Sequence, residues 1–274
     1  MLKILLIGDV VGAPGRNMVT RVLPRLIARE GIHFVICNAE NAAGGSGLTK
    51  STYEEICDAG VDAITLGDHA YRKDEIHALF ETKANLCRPA NFPPAAPGAQ
   101  WLVLPARDGT PVGVFSLIGR VFLKPVDCPL LAADRILDEL KGRAQVVVCD
   151  LHAEATSEKQ LIGRYLDGRV SAVLGTHTHV ATADEQIFPG GTAYQTDVGM
   201  TGPYDSVIGR RYDRVLATTL SGVPEHLDVA SGDPRLCGTL VEVNPADGRA
   251  VAVTRISIDL QASQSLVSIP GRSQ

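Results

Sequence analysis

A chain of 274 residues with 45% hydrophobic, 21% charged and only 5% aromatic side chains has the composition of an ordinary globular protein with apolar mass for a sizeable core, which argues against disorder. Its 26 Lys and Arg against 31 Asp and Glu leave a formal charge of -5 with no lysine-rich run, which argues against wrapping of duplex nucleic acid but not against a small nucleotide ligand. Six cysteines without a C-x-x-C pair read as free thiols of a reducing compartment.

The amino terminus, "MLKILLIGDV", offers only four apolar residues after Lys3 before Gly8 and Asp9, too short for a secretory signal. No later run approaches a membrane span, so a cytoplasmic protein without a membrane partner is expected.

Short β-branched or aliphatic runs recur along the chain: "KILLIG" (3–8), "FVIC" (34–37), "AITLG" (63–67), "VGVFSLIG" (112–119), "QVVVCD" (145–150) and "SAVLGT" (171–176). Their continuous apolar character predicts strands buried on both faces. Helical patterns over 16–29, 50–59, 72–81, 130–141 and 157–166 lie between several of them, a βαβ rhythm that predicts a largely parallel sheet. From about residue 181 the rhythm changes, and two runs near 235–243 and 250–259 flank "NPADGR" as an antiparallel hairpin. The fold class is α/β with a mixed sheet or two packed sheets. No linker or repeat divides residues 1–274, so one domain is expected, and the Pro-rich "RPANFPPAAPG" (88–98) reads as a rigid surface loop.

Polar residues that bind metal collect where the apolar runs stop: Asp9, then Glu40 and Asn41, then Asp68 and His69, then His152, then His177 and His179. Beyond the carboxyl ends of parallel strands, residues far apart in sequence converge on one crevice. Taken singly, each piece has a structural reading: Asp9 as a cap of the next helix, "NAEN" as a polar loop, His152 as a lone strand-end histidine. His177 and His179 are more specific, since at period two both rings leave one side of a strand and crowd unless a cation or carboxylate lies between them. Their joint occurrence at successive strand ends favours a metal site. His33, His77 and His226 lie elsewhere and read as surface residues.

Carboxylate, amide and imidazole donors without thiolate suit iron, manganese or zinc, and the donors are too many for one ion. Glu40 is the natural bridge between two ions, which at about 3.5–4 Å apart clamp a phosphoryl group, so phosphate-ester hydrolysis is expected.

The blocks "GDVVGAPGR", "NAENAAGGSGLT", "GDH", "RPANFP", "DLHAEATSEK", "GTHTHVATAD" and "TDVGMTGPYDSVIG" closely resemble the YmdB-like branch of the calcineurin-like metallophosphoesterases, from residue 3 to about 230. The resemblance implies a four-layer α/β/β/α sandwich of the metallophosphoesterase type with mixed sheets, the hairpin near 235–260 matching only loosely. It implies Asp9, Glu40, Asn41 and His179 around one ion, and Glu40, Asp68, His152 and His177 around the other. It also implies a binuclear phosphodiesterase that converts 2',3'-cyclic nucleotides to 3'-nucleotides by in-line attack of a metal-bridging hydroxide, with His69 as proton donor, in a homo-oligomer.

Family members usually carry Asn where this chain has Asp68, and "HAYRKDE" lacks the Trp-Asp pair often found after the histidine. Asp68 is expected to remain a ligand, its extra charge holding cations more tightly while weakening their Lewis acidity. Arg88, Asn91 and Arg120 are candidates for the substrate phosphate or base, with local structural pairing as the other reading. Gly12 and Gly15 are expected to shape the loop beside Asp9. Two rival functions remain at this point: a metal-dependent hydrolase of the amidohydrolase type, for which eight regular βα units are not visible, and a nucleotide-sensing regulatory protein with weak or lost catalysis.

Overall fold

The computed structural model of the protein describes residues 1–265. In chain order its elements are β1 (Leu2–Ile7), α1 (Gly12–Glu30), β2 (Phe34–Asn38), α2 (Lys50–Asp58), β3 (Ala63–Thr65), α3 (Ile76–Thr82), β4 (Trp101–Pro105), β5 (Pro111–Ile118), α4 (Pro129–Leu140), β6 (Val146–His152), α5 (Thr156–Tyr165), β7 (Ala172–Thr176), β8 (Gln186–Ile187), β9 (Ala193–Gln195), β10 (Gly202–Asp205), α6 (Tyr212–Ser221), β11 (Gly232–Val243), β12 (Ala250–Asp259) and α7 (Leu260–Ser265).

The strands form two mixed sheets, one ordered β10-β11-β1-β2-β3 with β12 on β11, the other β4-β5-β6-β7-β9-β8. In the first, β1, β2 and β3 are parallel and β11 runs antiparallel to β1. In the second, β5, β6, β7 and β9 are parallel while β4 and β8 pair antiparallel at the edges.

Alternation along the strands sets the layering. Leu5 and Ile7 of β1, with Val35 and Cys37 of β2, pack under α1 and α2 against Met18, Val22, Leu23 and Ile56. Their neighbours Ile4, Leu6, Phe34 and Ile36 point the opposite way, onto Val112, Val114, Val146, Val148 and Leu174 of the second sheet. The outer face of that sheet carries Phe115, Cys149 and Val173 under Ala133, Ile136 and Ile162 of α4 and α5. Helix, sheet, sheet and helix therefore stack as the expected four layers, and each buried aliphatic chain contributes about 1.5–3 kcal/mol. No helix among the described residues is long and apolar enough to cross a membrane.

The two sheets meet at the carboxyl ends of their parallel strands. The Asn38 amide and the Thr65 hydroxyl of the first sheet donate to Asp150 of β6 in the second, at 2.9 and 2.6 Å. The crevice expected beyond one sheet is thus shared by two.

Several expectations need correction. The window 72–81 forms a helix only from Ile76, because the segment from His69 turns on itself first, with the Arg72 N–H donating to the His69 carbonyl at 3.1 Å. The Pro-rich stretch is only partly a surface loop, since Arg88, Ala90 and Asn91 are buried. The strands β8 to β10, of two to four residues, are too short for an apolar period to be read in advance, and α6, which buries no residue, lies outside the helical patterns named above.

Candidate metal centre

Asp9 stands two residues beyond β1 and is fully buried, yet it does not cap α1, whose N-cap is Val11. Its Oδ2 accepts from the His177 backbone N–H at 2.9 Å, while its equally buried Oδ1 has no hydrogen-bond partner. Such an orphan costs about 1–3 kcal/mol, and more when charged. Burial pushes the Asp9 carboxyl up from its ordinary range, against the pull of His179 and His152. A cation at Oδ1 removes that cost, so the residue fits a metal ligand better than a helix cap.

Glu40, in the turn after β2, lies at the middle of the site. Its Oε2 accepts from the His69 backbone N–H at 2.9 Å, and its Oε1 lies 3.3 Å from His152 Nε2 and 3.2 Å from the Asn41 amide nitrogen. Asp68 Oδ1 is 3.2 Å from His152 Nε2 and 3.6 Å from His177 Nδ1. One donor atom from each of Glu40, Asp68, His152 and His177 falls within 4.8 Å of the others, a cluster that can hold a metal ion. The array continues past Glu40 to Asn41 and to His179, whose Nε2 lies 3.8 Å from the orphaned Asp9 oxygen and 3.4 Å from the Asn41 amide nitrogen. The Asn41 oxygen meets His69 Nδ1 at 2.7 Å, and turning the amide over exchanges its two ends.

Each of the three ligand-type imidazoles presents one nitrogen inward and gives the other an oxygen acceptor outside. His152 Nδ1 meets the Thr176 hydroxyl at 2.9 Å, which donates in turn to Asp150 at 2.7 Å. His177 Nε2 meets Glu154 at 3.2 Å, and His179 Nδ1 meets the Ile208 carbonyl at 2.9 Å. Outer acceptors of this kind fix the tautomer of metal-binding histidines and raise their basicity.

The geometry of His177 and His179 differs from the sequence expectation. β7 ends at Thr176, and both residues lie beyond it in left-handed backbone, at φ 96° and 66°. They do not leave one side of a strand. The Thr178 N–H between them donates to Asp197 at 3.0 Å, and Asp197 forms a fully buried ion pair with Lys159 at 2.7 Å. The loop is thus held in a conformation that costs non-glycine residues of order 1–3 kcal/mol each.

Electrostatics divide the array. Burial opposes ionisation of Glu40 and Asp68, yet His152 outweighs it and holds both carboxyl groups below their ordinary range, with His69 and His177 adding to the effect on Asp68. Burial also opposes a charged His152 ring, but Glu40, Asp68 and Asp9 together raise its pKa well above the ordinary value. His177 is lowered to about 4 by burial and then by the charge of His152. A cation binds only neutral imidazole, so loading expels the His152 proton, while His177 has none to give up near neutrality. Metal affinity is therefore expected to rise about tenfold per pH unit and to level off above the raised His152 pKa. Calorimetry in buffers of different ionisation enthalpy measures the released proton; loading at pH 7 without proton release contradicts this account.

The remaining sequence candidates lie outside the array. Arg88 and Asn91 are buried, and their donors go to the Ala96, Pro89, Ile118 and Asp127 carbonyls. Arg120 is exposed, with its backbone N–H on Glu158 at 2.8 Å. His77 and His226 are exposed, whereas His33 is half-buried and accepts from the Lys3 N–H. Sequence reading missed Asp150, Glu154, Lys159, Thr176 and Asp197. Four of these lie within or beside blocks that also hold a ligand-type histidine, and Asp197 stands in "TDVG".

Comparison with known proteins gives a consistent picture. The YmdB-like protein family matches residues 5–256. A Bacillus subtilis (strain 168) protein named 2',3'-cyclic-nucleotide 2'-phosphodiesterase is 46% identical over 258 residues, which cover 94% of this chain and 97% of that protein. A crystal structure of a Thermus thermophilus protein, described as hypothetical, superposes with a TM-score of 0.89 at 42% identity, covering 94% of this chain and 99% of the other. The structure of a Mycoplasma pneumoniae protein described as a novel phosphatase gives a TM-score of 0.88 at 33% identity, covering 94% and 93%.

Proposed function

The chain belongs to the YmdB-like protein family, and from that premise we propose that it is a metal-dependent phosphodiesterase that opens 2',3'-cyclic nucleotides to 3'-nucleotides. The observation that carries the reading is the inward set of His152, His177 and His179, each with an outer oxygen acceptor, around Glu40 and the orphaned Asp9 oxygen. The activity named for the Bacillus subtilis relative supports the choice of substrate.

In this reading Asp9, Asn41 and His179 would hold one cation and Asp68, His152 and His177 a second, with Glu40 placed to serve either. The donor set, without thiolate, suits iron or manganese and also zinc. When bound, the cations supply positive charge that polarises the phosphoryl group and acidifies water. The chain's own residues do the rest. His69 gives its proton to the ribose 2'-oxygen as the P–O bond breaks. Its backbone N–H holds Glu40, and with the Asn41 amide turned so that its oxygen faces the cation, the amide NH2 donates to His69 Nδ1 and leaves Nε2, 3.6 Å from Asp68 Oδ2, to carry that proton. Thr176 and Asp150 fix the His152 ring from behind.

Metal-loaded protein is expected to convert 2',3'-cyclic AMP to 3'-AMP, read by chromatography of the product. Tight binding of the nucleotide to fully metallated protein without product would favour a nucleotide sensor instead. Asp68→Asn removes one negative charge from the site while keeping an oxygen donor. It is expected to weaken metal binding and to raise kcat, each by about tenfold, as measured by metal titration and initial rates. A substitution that changes neither would show that Asp68 does not bind metal.

A further inference from the structure

Two cavities adjoin opposite ends of the donor array. One, of about 590 Å³, lies beyond His179 and is lined by Val180, Met200, Tyr204 and Arg235 among others. The other, of about 390 Å³, opens beside Asp68 between Tyr71, Phe92, Pro93, Lys124 and Val126. Both fall in the range of small-molecule sites, about 300–1,000 Å³. Volume alone does not say which one takes the nucleoside.

The chemistry of ring opening does. In the reaction read above, a water oxygen bonds to phosphorus and the P–O2' bond breaks. O2' leaves with the bonding electron pair and takes the His69 proton, and the proton lost by water returns to solvent. Both O2' and O3' belong to one ribose, so in a 3'-phosphate product the nucleoside stands on the leaving-group side, next to the proton donor. His69 Nε2 lies 3.6 Å from Asp68, which lines the smaller cavity, and the turn that follows His69 brings Tyr71 into its wall. The larger cavity begins at His179, at the far end of the array.

The walls fit the same assignment. Tyr71 and Phe92 have ring centroids 5.7 Å apart, and the Tyr71 hydroxyl is anchored on the Pro97 carbonyl at 2.7 Å. Both rings are half-buried and line the cavity, Tyr71 being packed in addition on His77 and Phe80 with centroids 6.1 and 6.0 Å away, while Arg72 and Lys124 are exposed beside them. Half-buried aromatic rings with adjacent cations suit a planar heteroaromatic ring attached to an anion, and stacking tolerates any base.

We propose that the cavity beside Asp68, walled by Tyr71 and Phe92, is the nucleobase subsite and holds the base by stacking. The assignment rests on the phosphodiesterase reading, and one experiment separates the two. Metal-loaded wild type, Phe92→Leu, Tyr71→Leu, Tyr71→Phe and Arg235→Gln are compared on 2',3'-cyclic AMP and on the base-free methyl riboside 2,3-cyclic phosphate. The two leucine variants keep apolar filling but lose the ring. They are expected to raise KM for 2',3'-cyclic AMP about tenfold with kcat within about twofold, and to leave KM for the base-free substrate unchanged. Tyr71→Phe keeps the ring and is expected to retain the wild-type KM, as is Arg235→Gln in the far cavity. If the leucine variants raise KM equally on both substrates, or if only Arg235→Gln raises it on 2',3'-cyclic AMP, the subsite is elsewhere and the phosphodiesterase reading stands. If wild type turns over neither substrate, both fall.

Discussion

His69→Ala is expected to lower kcat for 2',3'-cyclic AMP by about 10²–10⁴-fold while metal content stays at the wild-type level. The ribose 2'-oxygen is a poor leaving group as an alkoxide, so losing the proton donor strikes at bond cleavage. Retention of metal follows from the geometry: the contact that holds Glu40 is the backbone N–H of residue 69, which alanine keeps. Bis(p-nitrophenyl) phosphate gives the sharper test, because p-nitrophenolate leaves without protonation. Its turnover is expected to fall far less than that of the cyclic nucleotide. Equal losses on the two substrates, or metal loss in the variant, would assign His69 a structural part.

Lys159→Met is expected to destabilise the metal-free protein by about 3–5 kcal/mol, read by urea denaturation. Lys159 and Asp197 are fully buried, and the ammonium donates to Asp197 and to the Thr176 carbonyl, both at 2.7 Å. Methionine keeps the apolar stem but abandons the carboxylate, and a lone buried charge is the costly outcome. Asp197 still accepts from the Thr178 N–H and hydroxyl and from the Gly199 N–H, at 3.0, 2.8 and 2.9 Å. Adding Asp197→Asn in the same chain removes the stranded charge and should restore part of the loss. Because the pair anchors the loop that carries His177 and His179, the single variant should also bind metal more weakly. A loss below about 1 kcal/mol would mean that the pair contributes no more than an exposed one.

Much of the site was legible because strands buried on both faces announce themselves locally. "KILLIG", "FVIC" and "SAVLGT" are apolar without a break, and each stops abruptly at residues that cannot be buried without a partner. Asp9, Glu40, His152 and His177 could therefore be picked out together before their contacts were known. Arg88 and Asn91 show the limit of that reasoning. Their block carries a polar pair beside prolines whatever its use, and only the fold reveals that their donors serve nearby carbonyls.

The sequence by itself determined β1 to β3, β5 to β7 and the β11–β12 hairpin, most of the helical segments between the parallel strands and the chemical types gathered at the strand ends. These depend on apolar periodicity and on where it stops, which are properties of short windows. The tertiary structure alone decided that the parallel strands split between two facing sheets, and that His177 and His179 adopt left-handed backbone. It alone decided that Glu154, Ile208 and the Thr176–Asp150 pair hold the outer sides of the rings. The physical reason is that these features rest on hydrogen bonds between distant segments, such as the one from His177 to Asp9, 168 residues apart in sequence, and no local pattern encodes which remote acceptor a donor will meet.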